Sequence, residues 1–187
     1  MQLDSVYAKK ELIKAAFVTY IRRHRTTSMG NVMLKQLERA EQKWRGSNSL
    51  IDQWLNHRRK LLIHYCQVAG LPPYESHDKS LPNFQSVKEF CDLLVDYVSE
   101  GHFEVYDRLV SACDNNGQSS QNLTQEVMPK INETTDLALD FSDKYTEADD
   151  DKVLYQLDHD LSSLGDAMET RFQLEDQLLE ALHRKSA

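Results

Sequence analysis

Seven histidines, three cysteines and thirty acidic side chains are the groups with which this 187-residue chain could do chemistry, and their spacing supports little catalysis. No phosphate-cradling G-x-G-x-x-G or Walker loop is present, no G-x-S-x-G elbow holds a nucleophile, and no Cys-x-x-Cys pair offers a metal or redox site. Glu180-x-x-His183 has the spacing of a di-iron half-site. Such a centre needs a second Glu-x-x-His and two further glutamates, and no second copy occurs, so neither metal nor cofactor is expected. His57 and His64 lie two helical turns apart with no third ligand in view, which suits packing histidines better than a zinc site. Cys66 and Cys91 sit in apolar helical contexts, and with Cys113 they read as free thiols. Asn122-Leu-Thr and Asn132-Glu-Thr match glycosylation sequons but carry no weight without a secretion signal. What stands out is charge set beside apolar stripes: Asp52 before Trp54, Arg58 within a Leu-rich run, Asp96 between Val95 and Tyr97, and Glu169, Arg171, Glu175 and Asp176 around Phe172. On a helix, Asp96 and Glu100 share a face, and Arg171 can pair with Glu175 one turn on. Carboxylates gathered from neighbouring helices in this way would form an acidic, aromatic-edged groove for a basic helical partner.

The elements that must position these groups are helices. Six glycines and four prolines are too few turn formers for a many-stranded β protein. Apolar residues recur at helical spacing in a short helix from Leu34 to Trp44 and a long one from about Leu50 to Val68. Gly46-Ser47-Asn48 separates them, and Gly70 with Pro72-Pro73 stops the second. Residues 71–83 read as a connection. A third helix is expected from about Asn83, interrupted at Gly101, with a further segment from Phe103 to Cys113. Asp114-Asn115-Asn116-Gly117 is a turn signal. Pro129 is expected in the first turn of the next helix. The last helix, from Val153 to Leu182, follows an acidic Asp149-Asp150-Asp151 cluster suited to a helix N-terminus. Such stripes cannot be buried singly, so the fold class is all-α: an up-and-down antiparallel bundle of long helices with a short extra N-terminal helix.

Charge is unevenly distributed. Residues 1–32 hold six basic and two acidic side chains, which leaves 16 basic and 28 acidic ones to the other 155 residues. A body this acidic repels duplex DNA and attracts basic proteins. The basic segment carries an amphipathic run (Leu12, Ile13, Ala16, Phe17, Tyr20, Ile21) too short to span a membrane. It suits a lipid surface or a transit sequence; an equal account puts it upstream of the true start, with Met33 as initiator. Residues 1–32 are therefore expected to be a dispensable extension and 33–187 the domain. With free thiols, no 18-residue apolar stretch and no secretion signal, the expected location is the cytoplasm.

Three stretches resemble a known family. Trp44-Arg-Gly-Ser-Asn-Ser-Leu-Ile-Asp-Gln-Trp-Leu-Asn-His-Arg-Arg-Lys-Leu-Leu, Phe90-Cys-Asp-Leu-Leu-Val-Asp-Tyr-Val-Ser-Glu-Gly-His-Phe-Glu-Val-Tyr and Leu161-Ser-Ser-Leu-Gly-Asp-Ala-Met-Glu-Thr-Arg-Phe-Gln-Leu-Glu-Asp are similar, in this order, to signatures of the regulator of sigma D (Rsd/AlgQ) family. Residues 71–85 and 114–150 match weakly. The resemblance implies a non-enzymatic anti-sigma factor that binds region 4 of the housekeeping sigma factor, a helix-turn-helix module with a basic DNA-reading face. No direct DNA binding, membrane contact or cofactor is implied. Its candidate partner-binding residues are Asp52, Asp96, Glu100, Glu169, Glu175 and Asp176 as acceptors for Arg and Lys, and Trp54, Tyr97, His102, Phe103 and Phe172 as apolar contacts or their supports. Arg58 and Arg171 lie among them. A weak homodimer of the free protein through its own groove, a helical adaptor for another basic protein, and a metallo-bundle enzyme stay open as alternatives.

Overall fold

The computed structural model describes residues 28–47, 49–72, 74, 82–100, 118–148 and 151–183. Five α-helices account for most of them: α1 (28–44), α2 (Ser49–Val68), α3 (Phe84–Glu100), α4 (Gln118–Thr146) and α5 (Leu157–His183), the last preceded by a 3-10 helix at Asp151–Gln156. No strand occurs among the described residues. Helices α2 to α5 run up, down, up, down. Tyr65 lies against Phe90 and Trp54 against Tyr97 across α2 and α3; Phe90 meets Phe141 across α3 and α4. Tyr145 bonds to Asp160 and Thr135 to Arg171 across α4 and α5, and Arg58 to Glu175 closes the ring from α2 to α5. Helix α1 seats outside that square, antiparallel to α2 through Glu41 and Arg59 and parallel to α5, where Gln36 meets Asp176 and Lys43 meets Glu180. This is the expected up-and-down bundle with an extra N-terminal helix.

Local sequence sets where the helices stop. Gly70, at φ 59°, ends α2 with a paired closure: the Leu71 N–H reaches the Cys66 carbonyl at 2.8 Å and the Gly70 N–H the Gln67 carbonyl at 3.2 Å. Leu71 is buried beneath it, as the motif requires. Asn83 caps α3, its side chain accepting the Gln85 N–H at 2.9 Å. Gly46, at φ 83°, turns α1 into α2, and its N–H is held by Asp52 at 2.7 Å.

Three boundaries differ from expectation. Pro129 lies well inside α4, a 29-residue helix, rather than in its first turn. It sits on the exposed side, where the carbonyl it leaves without an N–H partner is open to water, so the helix continues. The acidic cluster ending at Asp151 leads into the 3-10 turn, and α5 takes Asp158 and Asp160 as its first-turn acids instead. Helix α1 reaches upstream of Met33, and Met29 and Gly30 are buried. A Cβ on Gly30 would meet Leu71, and one on Gly165 would collide with Met29 and Tyr65, so α1, α2 and α5 approach one another here with no room to spare. The segment Phe103 to Cys113, the turn Asp114 to Gly117, and residues 1–27 lie outside the described residues.

Candidate functional site

Periodicity puts Trp54 and Arg58 one turn apart on α2, and Arg171, Phe172, Glu175 and Asp176 on two adjoining turns of α5. Helix α3 brings Tyr97 between them. The result is one connected polar network in the middle of an apolar core. Arg58 donates from Nε to the Tyr97 hydroxyl at 3.2 Å, from Nη1 to Asp176 at 2.8 Å and from Nη2 to Glu175 at 2.8 Å. The Tyr97 hydroxyl donates to the same Glu175 oxygen at 2.6 Å. The other Glu175 oxygen accepts from Arg171 Nε at 2.8 Å. Arg171 then reaches α4 through the Thr135 hydroxyl at 2.7 Å and the Thr134 hydroxyl at 3.2 Å. Gln36 of α1 completes it by donating to Asp176 at 3.1 Å. Two guanidiniums face two carboxylates, so the cluster is electrically balanced and every helix contributes to it.

Aromatic rings insulate the charges. The Arg58 guanidinium lies between Trp54, 4.9 Å away, and Phe172, 4.7 Å away. Tyr97 stacks on Trp54 and meets Phe172 edge-on. Burial opposes the Arg58 charge, but Tyr97, Glu175 and Asp176 outweigh it and hold the guanidinium protonated. Burial drives the Tyr97 hydroxyl far above the ordinary range, against the pull of Arg58 and with Glu175 adding to the rise. Burial also lifts Asp176, opposed by Arg58 and by the bond from Gln36. A paired buried charge cluster of this kind is an orienting device: its geometry is costly to rearrange because any broken pair strands a charge.

This placement corrects part of the expected site. Trp54, Arg58, Tyr97, Arg171, Phe172 and Glu175 are buried to within 1 % of complete, so in this conformation they lie in the interior and present no surface to a partner. Glu175 cannot accept a partner's Arg because both of its oxygens are taken by this chain's own groups. Among the described residues Trp54, Tyr97 and Phe172 turn inward around the Arg58 guanidinium rather than edging a groove. Asp176 is partly exposed, and both its oxygens are engaged. Asp52 is partly buried and fixes the α1–α2 turn. Glu169, also partly buried, accepts from Gln173 at 3.3 Å. Asp96 is exposed. Nothing is described of the Glu100 side chain, and His102 and Phe103 lie outside the described residues. Sequence reading missed Gln36, Thr134 and Thr135, which carry no signal beyond being polar positions on helices. Glu180 pairs with Lys43, and no group of three His, Cys, Asp or Glu side chains among the described residues is arranged to hold a metal.

Outside the core, charge segregates by face. Glu133, Asp136, Asp140 and Asp143 recur three and four apart along exposed α4, with Glu147 just past its end and Leu137 and Leu139 exposed beside them; α3 adds Glu89, Asp92 and Asp96. On the opposite side, α1 exposes Lys35, Arg39 and Lys43 with Glu38 among them, the turn after it exposes Arg45, and α2 exposes Lys60. No helix among the described residues is long and apolar enough to cross a membrane.

The described helices form an all-α bundle in which the buried ionic groups lock the helices to one another and the remaining described charge lies on the outer faces. A family model described as regulator of RNA polymerase sigma(70) subunit, Rsd/AlgQ, matches residues 33–183, and the chain belongs to that family. Proteins named regulator of sigma D are similar to it: one from Yersinia enterocolitica is 41 % identical over 150 residues, 79 % of this chain and 89 % of that protein. One from Yersinia pseudotuberculosis is 40 % identical over 150 residues, 79 % of this chain and 88 % of that protein. One from Shigella dysenteriae is 36 % identical over 149 residues, covering 79 % and 92 %. No solved structure matches the chain.

Proposed function

We propose that this protein is a cytoplasmic anti-sigma factor that binds region 4 of the housekeeping sigma factor and keeps it from core polymerase and promoter DNA. Membership in a family described as regulating the sigma(70) subunit supports the partner. The observation that carries the mode of binding is the run of exposed carboxylates on α3 and α4. Region 4 reads DNA with a basic helix-turn-helix face. An acidic, rigid surface laid against that face replaces the phosphates it would otherwise contact, so occupancy alone blocks promoter recognition and no bond is made or broken.

Asp96 is the proposed centre of this contact. It is exposed on the same helix that sends Tyr97 into the locked interior, so its position is fixed from below while its carboxylate stays in solvent. The test is Asp96→Asn, which keeps size and removes charge. Its melting temperature should stay within error of the parent, while calorimetric affinity for a region 4 fragment falls by about 1–3 kcal/mol, the scale of a charged interfacial hydrogen bond. Unchanged affinity removes Asp96 from the contact. Binding to region 4 without displacement of promoter DNA would favour the adaptor reading instead.

A further inference from the structure

A groove of about 320 Å³ runs between α1 and α5 on the face away from the acidic stripe of α4, and its walls include Gln36, Arg39, Lys43, Trp44, Gln173 and Asp176, with Val32 and Ala40 beside them. Three observations give it a chemical character. Its one acid is already spent, because Arg58 and Gln36 occupy the two oxygens of Asp176. Its two cations are Lys43, whose ammonium bonds to Glu180 and keeps further hydrogens, and Arg39, exposed and held by no ion pair among the described residues. Trp44 lines the groove and is only 5 % exposed, and its indole N–H, like that of Trp54 in the core, is buried with no acceptor. A buried donor left unmade costs about 1–3 kcal/mol, so an acceptor gained at Trp44 would be favourable.

We propose that this groove binds a small anion carrying a carboxylate or phosphate group and a short apolar portion. Arg39 and Lys43 supply the charge, the Trp44 indole N–H and the Gln173 amide orient the oxygens, and Val32 with Ala40 receives the apolar part. The volume lies at the small end of ligand pockets, which fits a small molecule of this kind. Helices α1 and α5 both contribute, so the bound anion clamps α1 onto the bundle. Gln36 links the same seat to Asp176 and through it to Arg58, which places the ligand in contact with the network that holds α3 in position.

The chain has two tryptophans, so a ¹⁵N-labelled sample of the full protein gives two indole N–H resonances, assigned by through-bond transfer. Inorganic phosphate is titrated in one series and glutarate in another, each at ionic strength held constant with chloride. The Trp44 indole proton should move downfield and saturate in at least one series, and which series responds tells phosphate from carboxylate; the Trp54 resonance should stay still. Arg39→Ala, an exposed change that leaves the melting temperature alone, should weaken the response about tenfold or more. The proposal is overturned if neither anion moves Trp44, if chloride moves it equally, or if Arg39→Ala leaves the titration unchanged. None of these readouts depends on sigma-factor binding.

Discussion

Glu175 is the residue on which the interior depends, because it accepts from Arg58, Tyr97 and Arg171 at once. Glu175→Gln leaves two buried guanidiniums facing a neutral amide with a donor of its own. Breaking a buried ion pair from one side costs about 3–5 kcal/mol, and denaturant unfolding should show a loss on that scale. Tyr97→Phe removes one hydroxyl and should cost less, about 1–3 kcal/mol. Equal stability of Glu175→Gln and the parent would mean that the network is ornamental. A second residue-level outcome concerns pH. Burial pushes the Cys91 thiol up to about 12, with Ser142 pulling the other way, and it raises Cys66 as well. The folded state therefore holds these protons more tightly than the unfolded chain. Their contribution to stability is complete below about pH 8.5, the ordinary thiol value, and is lost as pH rises from there toward 12. Midpoints of urea unfolding should be level from pH 7 to 8 and fall above 9, and iodoacetamide should modify native Cys91 only on unfolding.

Helix α1 shows why an element boundary cannot be drawn from similarity alone. The family match begins at residue 33, yet the helix is already formed at 28, and Met29 and Gly30 are packed against α2 and α5. Dispensability of the basic N-terminal extension then divides at that point. A chain beginning at Met33 loses the buried Met29 side chain and should unfold with a deficit of about 1.5–3 kcal/mol. A chain that keeps Ser28 onward retains the contact and should match the parent. Thermal unfolding of the two truncations side by side checks this, and equal melting temperatures would show that the first turn of α1 contributes nothing. Pro129 carries the same lesson in reverse. Proline favours a first turn over a helix interior, and only its exposed place on α4 shows how the helix runs through it.

At the scale of the whole molecule, exposed carboxylates predominate on the described α3–α4 side and exposed cations on the α1–α2 side, with Lys130 and Lys144 on α4 and Glu38 on α1 as exceptions. A basic partner meeting the acidic side is steered over the Debye length, which shrinks from ~10 Å at 0.1 M salt to ~3 Å at 1 M. Stopped-flow association with region 4 should therefore slow strongly over that range while dissociation changes little. An association rate indifferent to salt would count against the acidic face. Much of this molecule was legible in its residue order. Apolar spacing of three and four, glycines at 46 and 70, and the scarcity of turn formers determined the helices and their antiparallel packing, because helical periodicity is a local property. The pairing of Arg171 with Glu175 was legible for the same reason, being a contact one turn apart. Only the tertiary structure decided which charged residues face inward. Arg58 and Glu175 are separated by more than a hundred positions, and on sequence alone each looks like a solvated charge beside an apolar stripe. A charged side chain can be buried only where its counter-charge arrives from another helix, and that meeting is set by how the helices pack.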